Sequence, residues 1–296
     1  MSKNIMTEAN NKVNIVGKLM DVTLGSGTLS DGRKYERASL TVRVDQTFGG
    51  REEVSEIPLS MFATQYTKTN KVNPAYEQIQ NLKKMKTAQN VGIDEADTVR
   101  VSGATLRENN FVAKSGQLIN GWQINTSFIG TTNASDVATF QEELFIMDMK
   151  DEVDREGDPT GRLVIKGGIV QYGGKLDVLE FIVEQPEAVE FISRNWNVND
   201  TIGTVGRIRV TSQEEKTSGK TSSWGEDIPE TTTRFVRELI ITKGDDEGHE
   251  EEFAYDPTDI KKAFNVRKAL IEQMQTEATQ TKPAATTASA SKYSWE

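Results

Sequence analysis

The 296 residues include no cysteine, which removes disulfides, thiolate nucleophiles and cysteine-ligated zinc. They include one histidine, so a Ser-His-Asp mechanism would have to use His249 inside the acidic run DDEGHEEE. With 35% hydrophobic and 27% charged residues the composition is that of an ordinary globular chain, and no apolar run approaches the roughly 20 residues that span a bilayer. The net charge of −10 is unevenly spread: residues 1–130 hold 16 Lys and Arg against 13 Asp and Glu, residues 131–160 hold 2 against 9, and residues 245–256 hold 0 against 7. Acidity is therefore concentrated in connecting segments, while the first part of the chain is mildly basic. The opening MSKNIMTEANNK lacks the charged-then-apolar layout of a secretory signal, so a cytoplasmic protein is expected.

Strand-like alternation predicts three strands at Lys12–Thr23, Tyr35–Val44 and Glu53–Leu59, joined by the Gly-rich turns LGSGTLSDGRK and DQTFGGRE. The pattern changes after Pro58. Asn73-Pro74 opens a predicted helix to Lys86, with Ile79, Leu82 and Met85 on one face, and strands follow at Thr98–Arg107 and Gly121–Ile129. The order β-β-β-α-β-β then recurs: Glu142–Val153, Arg162–Gln171, Lys175–Glu184, a helix over Pro186–Trp196, Thr201–Thr211 and Arg234–Lys243, with a long polar loop expected from Ser212 to Thr233. DTVRVSG at 97–103 is echoed by DTIGTVG at 200–206, in both cases between helix and strand, which places a turn-closing Asp-Thr before a strand glycine suited to a bulge. Gly32-Arg33 and Gly161-Arg162 provide a second pair of anchors at the start of the second strand. Beyond the acidic segment, Pro257–Thr276 reads as an amphipathic helix, and the Ala/Thr/Ser-rich residues after it cannot bury enough apolar surface to offset ordering. The expected organisation is domain one at 11–130, domain two at 134–244, an acidic linker and helix at 245–276, and a disordered tail at 277–296.

Asn11, Val13, Ile15 and Gly17 in NKVNIVGKLMDV, followed by DTVRVSGATLRENNFVAKSGQLINGWQINTSFI, resemble single-stranded DNA-binding proteins of the bacterial and bacteriophage type over residues 11–130. The resemblance implies an OB fold, a five-stranded Greek-key barrel with a helix between strands three and four. The repeat implies two such barrels in tandem, as suits a bacteriophage version. It implies no enzyme, no cofactor and no metal, but sequence-independent coating of single strands in DNA replication, recombination or repair.

Such a role requires a cationic groove and aromatic faces on which bases stack. Domain one offers Arg33, Lys34, Tyr35, Arg37, Arg43, Phe48 and Arg51 around its first two hairpins, and Arg100, Arg107, Phe111, Lys114 and Trp122 on its last. Domain two offers Lys166, Tyr172, Lys175, Arg207, Arg209, Trp224, Arg234 and Arg237, either to bind a strand or to hold partner proteins or another subunit. Phe128, Phe145, Phe181, Phe191, Phe235 and Trp196 lie on apolar repeats and are expected in the cores. The tip Tyr293, Trp295 and Glu296 resembles in plan, though not in residues, the family's acidic tail that recruits replication or recombination proteins. The acidic runs at 148–158 and 245–256 could compete with DNA as polyanion mimics. The alternative is a structural, assembly or accessory protein whose barrels contact other proteins.

Two tempting motifs fail. Ser218-Gly219-Lys220-Thr221 lacks the earlier glycine of a phosphate loop, since Glu214 stands there, and the carboxylates of 245–252 miss the EF-hand spacing.

Overall fold

The computed structural model describes residues 6–67, 69–113, 115–217 and 230–280, with side chains described for all of these except 213–217, 230–234, 279 and 280. Barrel one is built from β1 (Asn11–Thr28), β2 (Lys34–Phe48), β3 (Arg51–Thr64), β4 (Thr98–Glu108) and β7 (Trp122–Asn125). They pair in the order β1-β2-β3-β7-β4 and close through β4 back onto β1, with β3 and β7 parallel. This is the OB topology. Alternation produces it: Ala38, Leu40, Val42 and Val44 of β2 turn inward while Arg37 and Ser39 turn out.

The helix α1 (Pro74–Asn81), extended by a 3-10 turn at Leu82–Lys84, lies between β3 and β4. Asn73 caps it, its side chain accepting from Ala75 N at 3.1 Å, and Pro74 fills the first position, where no backbone donor is required. Its inward face buries Ile79 and Leu82 completely against the barrel. A single turn, α2 (Ala88–Val91), precedes β4, and a small hairpin, β5 (Phe111–Val112) with β6 (Leu118–Ile119), forms the connection from β4 to β7.

Barrel two repeats the topology with β9 (Val137–Val153), β10 (Pro159–Gln171), β11 (Lys175–Val183), α3 (Pro186–Asn195), β12 (Thr201–Thr217) and β13 (Glu230–Gly244). Its order is β9-β10-β11-β13-β12, closed by β12 onto β9, with β11 and β13 parallel. The echoed heptapeptides occupy the same joint. Asp97 O accepts from Leu19 N at 3.0 Å and Asp200 O from Ile146 N at 2.8 Å, so each fastens the start of strand four to strand one. Each carboxylate also accepts a backbone N–H just after its helix, from Lys86 at 2.9 Å and from Asn197 at 2.7 Å. Gly103 lies at a register shift of the ladder, as a bulge glycine, whereas Gly206 is held to glycine by close packing, since a Cβ there would stand 2.2 Å from Ile240 O and from the Phe140 ring.

Several expectations change in detail. The counterpart of Gly32-Arg33 is Gly157-Asp158, not Gly161-Arg162. Leu29 N to Arg33 O and Gly32 N to Leu29 O in the first hairpin are matched by Asp154 N to Asp158 O and Gly157 N to Asp154 O in the second. Strand β3 runs six residues past Pro58, which faces Thr41 and interrupts nothing on that ladder. The fifth strand of barrel one is split: β7 closes the barrel, and after Thr126, whose hydroxyl donates to Ser102 O at 2.9 Å, β8 (Phe128–Thr131) pairs with the other end of β4. Within the loop expected at 212–233, residues 212–217 and 230–233 form a paired arm, with Ser212 opposite Phe235 and Thr217 opposite Glu230, while 218–229 lie outside the described residues.

The acidic linker is strapped to barrel two. Trp196 Nε1 donates to Asp245 O at 2.9 Å, and Tyr255, buried, takes Thr201 Oγ1 on its backbone N–H and donates from its own hydroxyl to Glu143. The terminal helix α4 (Pro257–Gln280) continues four residues into the expected tail; the remaining tail, 281–296, lies outside the described residues. Among the described residues no helix is long and apolar enough to cross a membrane.

The barrels share a seam. The amino halves of β1 and β9 pair antiparallel, from Asn11 opposite Glu142 to Val16 opposite Val137, so an 11-stranded sheet runs through both. Where Ile15 faces Val101 in barrel one, Glu142 faces Thr204 in barrel two. Glu142 is fully buried, neither carboxyl oxygen has a hydrogen-bond partner among the described residues, and burial pushes its pKa well above the ordinary carboxylate range.

Candidate nucleic-acid interface

The outer face of β1, β2 and β3 is an open, gently ridged surface. Its cross-strand rows read Thr23, Ser39, Ser60; then Gly25, Arg37, Phe62; then Gly27, Tyr35, Thr64. The rings of Tyr35 and Phe62 meet diagonally, centroids 5.2 Å apart and planes at 32°, and Phe62 is 58% exposed. Gly25 and Gly27 create this arrangement. A Cβ on Gly27 would stand 2.5 Å from the Tyr35 hydroxyl and one on Gly25 would stand 2.8 Å from Arg37 Nε, so both side chains lie flat over β1 only because nothing projects there. Arg33 and Lys34 are exposed at the end of the same hairpin, where Arg33 pairs with Asp31 at 2.7 Å and holds that carboxyl below its ordinary pKa.

The arm formed by β12 and β13 runs beside β3 from barrel two, with Val210 N donating at 3.2 Å to Ser55 Oγ, on the buried side of that strand. Between them runs a groove of about 400 Å³ lined by Thr41, Val54, Pro58, Val210, Phe235 and Arg237. Phe235, expected in a core, is 70% exposed there. Arg237 also lines a second cleft of about 650 Å³, where the β5–β6 hairpin and α4 meet the outer face of barrel two. Its guanidinium lies 4.3 Å over the Trp122 ring and donates to Trp122 O at 2.8 Å. Phe111 and Lys166 face the same cleft, so four predicted residues from the two barrels, Phe111, Trp122, Lys166 and Arg237, come together. Trp122 itself is only 8% exposed: its ring belongs to the core and to Arg237, not to a free stacking face.

Other predicted residues are committed elsewhere. Arg207, with its side chain 5% exposed, donates to Glu53 and Glu184, each at 2.5 Å, and lies 4.3 Å over the Phe48 ring. Arg209 pairs with Glu238 and bridges Glu53 and Glu184 at 3.5 and 3.2 Å. Arg162 extends the network to Glu152 at 2.5 Å and Glu238 at 3.1 Å. This network ties the β2–β3 hairpin of barrel one to barrel two, with Arg207 and Arg209 committed to ion pairs and the half-buried Phe48 ring covered by Arg207. Burial alone would raise Glu184, but the hydrogen bond and charge of Arg207, with Arg209, bring it below its ordinary value.

Arg107 pairs with Asp177 of barrel two at 2.7 Å, and Arg43 with Asp45 at 2.9 Å. Arg51 sits exposed at the tip of the β2–β3 hairpin and Arg100 is exposed on β4, each apart from the aromatic row. Tyr172 and Lys175 are exposed at the β10–β11 turn, away from the arm. Phe128 and Phe191, expected in cores, are about half exposed, whereas Phe145, Phe181 and Trp196 are buried as their periodicity implies. The side chains of Lys114, Trp224, Arg234, Tyr293, Trp295 and Glu296 lie outside the described residues.

Phe62 is not among the residues expected from the sequence. The signal was present: Leu59, Met61 and Ala63 alternate inward, so the residue between the last two must face out.

Comparison with solved structures gives the single-stranded DNA-binding protein from Thermus aquaticus at 12% identity and TM-score 0.49, covering 82% of this chain and 96% of that one. A deletion variant of the same protein gives 14% identity and TM-score 0.48 over 85% of this chain and 99% of that one. The small single-stranded DNA-binding protein from Streptomyces coelicolor gives 17% identity and TM-score 0.26, covering 42% of this chain and 96% of that one. No curated protein matches the sequence. A family model does match it, along residues 9–277 and so through both barrels and nearly all of α4, and the chain belongs to that family, YorF.

Proposed function

We propose that the protein binds single-stranded DNA without sequence preference and so protects exposed strands during replication, recombination or repair. The observation that carries this reading is the Tyr35–Phe62 pair beside Arg37, spread across an open barrel face by two glycines. Exposed rings on a sheet cost solvation unless something covers them, and bases stacking on rings between phosphate-binding cations are a sequence-tolerant cover. From that face the strand would follow the groove past Phe235, turn at Arg237 and enter the cleft with Phe111 and Lys166. The path uses both barrels, with barrel one supplying the broader exposed face.

The test is a titration of labelled oligothymidine across a salt series. Neutralising about three to four phosphates gives a slope of about −2 to −3 in log K against log salt. Replacing Phe62 with Ala removes one stacking platform and weakens binding by about 1–3 kcal/mol, or roughly 5- to 150-fold. Absence of binding at low salt refutes the proposal and leaves the assembly or accessory role, in which the barrels contact protein.

A further inference from the structure

The chain contains one Asn-Gly pair, Asn120-Gly121. In a hairpin such a pair usually supplies a type I′ turn with positive φ at both residues, but neither residue has a positive φ here. It forms instead the joint between β6, which ends at Ile119, and β7, which begins at Trp122 in the other sheet. One side of the joint is held, since Asn109 N donates to Gly121 O at 2.8 Å. The other is free: the Gly121 N–H has no hydrogen-bond partner among the described residues, and Asn120 is exposed to water. Both residues line the cleft that holds Phe111 and Trp122. The charged groups around that cleft are three cations, Lys166, Arg237 and Arg267, against two carboxylates, Glu108 and Glu180. Its balance is one positive charge, so a single added carboxylate cancels it.

We propose that Asn120 is a site of spontaneous deamidation, and that its product removes the attraction of the cleft for anions. Glycine lacks the side chain that would screen its amide nitrogen, so the Gly121 nitrogen, after giving its proton to water, reaches Asn120 Cγ. A bond forms between the two atoms, the Cγ–Nδ2 bond breaks, and Nδ2 takes up a proton and leaves as ammonia. Water then opens the cyclic imide at one of its two carbonyls, which gives aspartate or isoaspartate, and no other reactant is needed. Each product carries a carboxylate where a neutral amide stood. Isoaspartate also routes the main chain through one extra methylene between β6 and β7. With its positive charge cancelled, the cleft no longer draws in a phosphodiester. That consequence rests on the proposed binding of single-stranded DNA, whereas the chemistry at Asn120 does not.

The experiment incubates the full-length protein at mildly alkaline pH, where the amide proton is lost more readily, and follows peptide masses and oligothymidine affinity together. A gain of about 1 Da is expected in the peptide that carries Asn120, ahead of every peptide that carries another asparagine, and Asn120→Gln abolishes it. The incubated wild type and fresh Asn120→Asp are expected to bind oligothymidine several-fold more weakly than fresh wild type, with a salt slope shallower by about 1. Asn120→Gln keeps the same affinity before and after incubation, which separates the modification from general damage. No mass gain at Asn120, or one no faster than at the other asparagines, overturns the proposal. So does a modified protein that binds as tightly as the fresh one. If fresh protein does not bind oligothymidine at all, the proposed function fails and the effect on the cleft fails with it, while the mass gain alone still upholds or overturns the modification.

Discussion

Replacing Glu142 with Ile should stabilise the protein, and more so at neutral than at acid pH. Glu142 occupies in barrel two the position that Ile15 occupies in barrel one, fully buried and with both carboxyl oxygens unpartnered among the described residues. Removing unsatisfied buried polar atoms returns about 1–3 kcal/mol, and burying an aliphatic group in their place adds about 1–2 kcal/mol. Because burial raises the folded-state pKa, the neutral acid is the form the fold accepts. The wild type therefore keeps its full stability from this group below the unfolded value of about 4.3 and loses stability as pH rises from there toward the folded value. The advantage of Glu142→Ile must grow over the same interval. Urea unfolding of both proteins at pH 4 and pH 7.5 measures it, with a gain in unfolding free energy of about 2–5 kcal/mol expected at the higher pH. A gain that is equal at the two pH values, or a loss at both, would mean that the carboxyl has a partner inside the barrel and that the reasoning is wrong.

Arg207→Ala leaves Glu53 and Glu184 only their longer contacts to Arg209, at 3.5 and 3.2 Å, and should lower the unfolding free energy by about 3 kcal/mol. Phe62→Ala, on the open face, should stay within about 0.5 kcal/mol of wild type in the same urea assay while weakening oligothymidine binding. Gly27→Val should reduce oligothymidine affinity as much as Tyr35→Ala does, because its side chain displaces the Tyr35 hydroxyl and lifts the ring from β1; unaltered affinity would separate Tyr35 from the binding face. The carboxyls of Glu152, hydrogen-bonded to Arg162, and of Glu184 are held below their ordinary values. Their contribution is present above the unfolded value of about 4.3 and disappears as pH falls through the folded values. Acid unfolding followed by circular dichroism should therefore be shallower in Glu152→Gln and Glu184→Gln than in wild type.

The barrels were legible because alternation, two Pro-capped helices and the Asp-Thr…Gly echo are local signals, and each fixes a joint without reference to the other half of the chain. The arm was not: Ser212–Thr217 is polar on both faces, and only the ladder to Phe235 and its neighbours makes it a strand. For the site, Tyr35 and Arg37 could be read from their place beside a Gly-rich hairpin. Arg207 and Phe48 could not be separated from ligands, because the carboxylate that buries Arg207 comes from Glu53, 154 residues away, and arrives only when β1 pairs with β9. Strand length mattered as well. Ending β3 near Pro58 removed Phe62 from view, although continued alternation places it beside Tyr35.

The seam between β1 and β9 has a consequence for what each barrel is free to become. Two identical barrels meeting along such a ladder would carry every substitution twice, once on each side of the axis. Joined in one chain, they need not match. The first hairpin of barrel one holds Arg33, Lys34 and Arg37, while its counterpart in barrel two holds Asp151, Glu152, Asp154, Glu156 and Asp158. Covalent linkage thus gives the molecule two different ends and, on the proposed function, would give a bound strand a direction in which to lie.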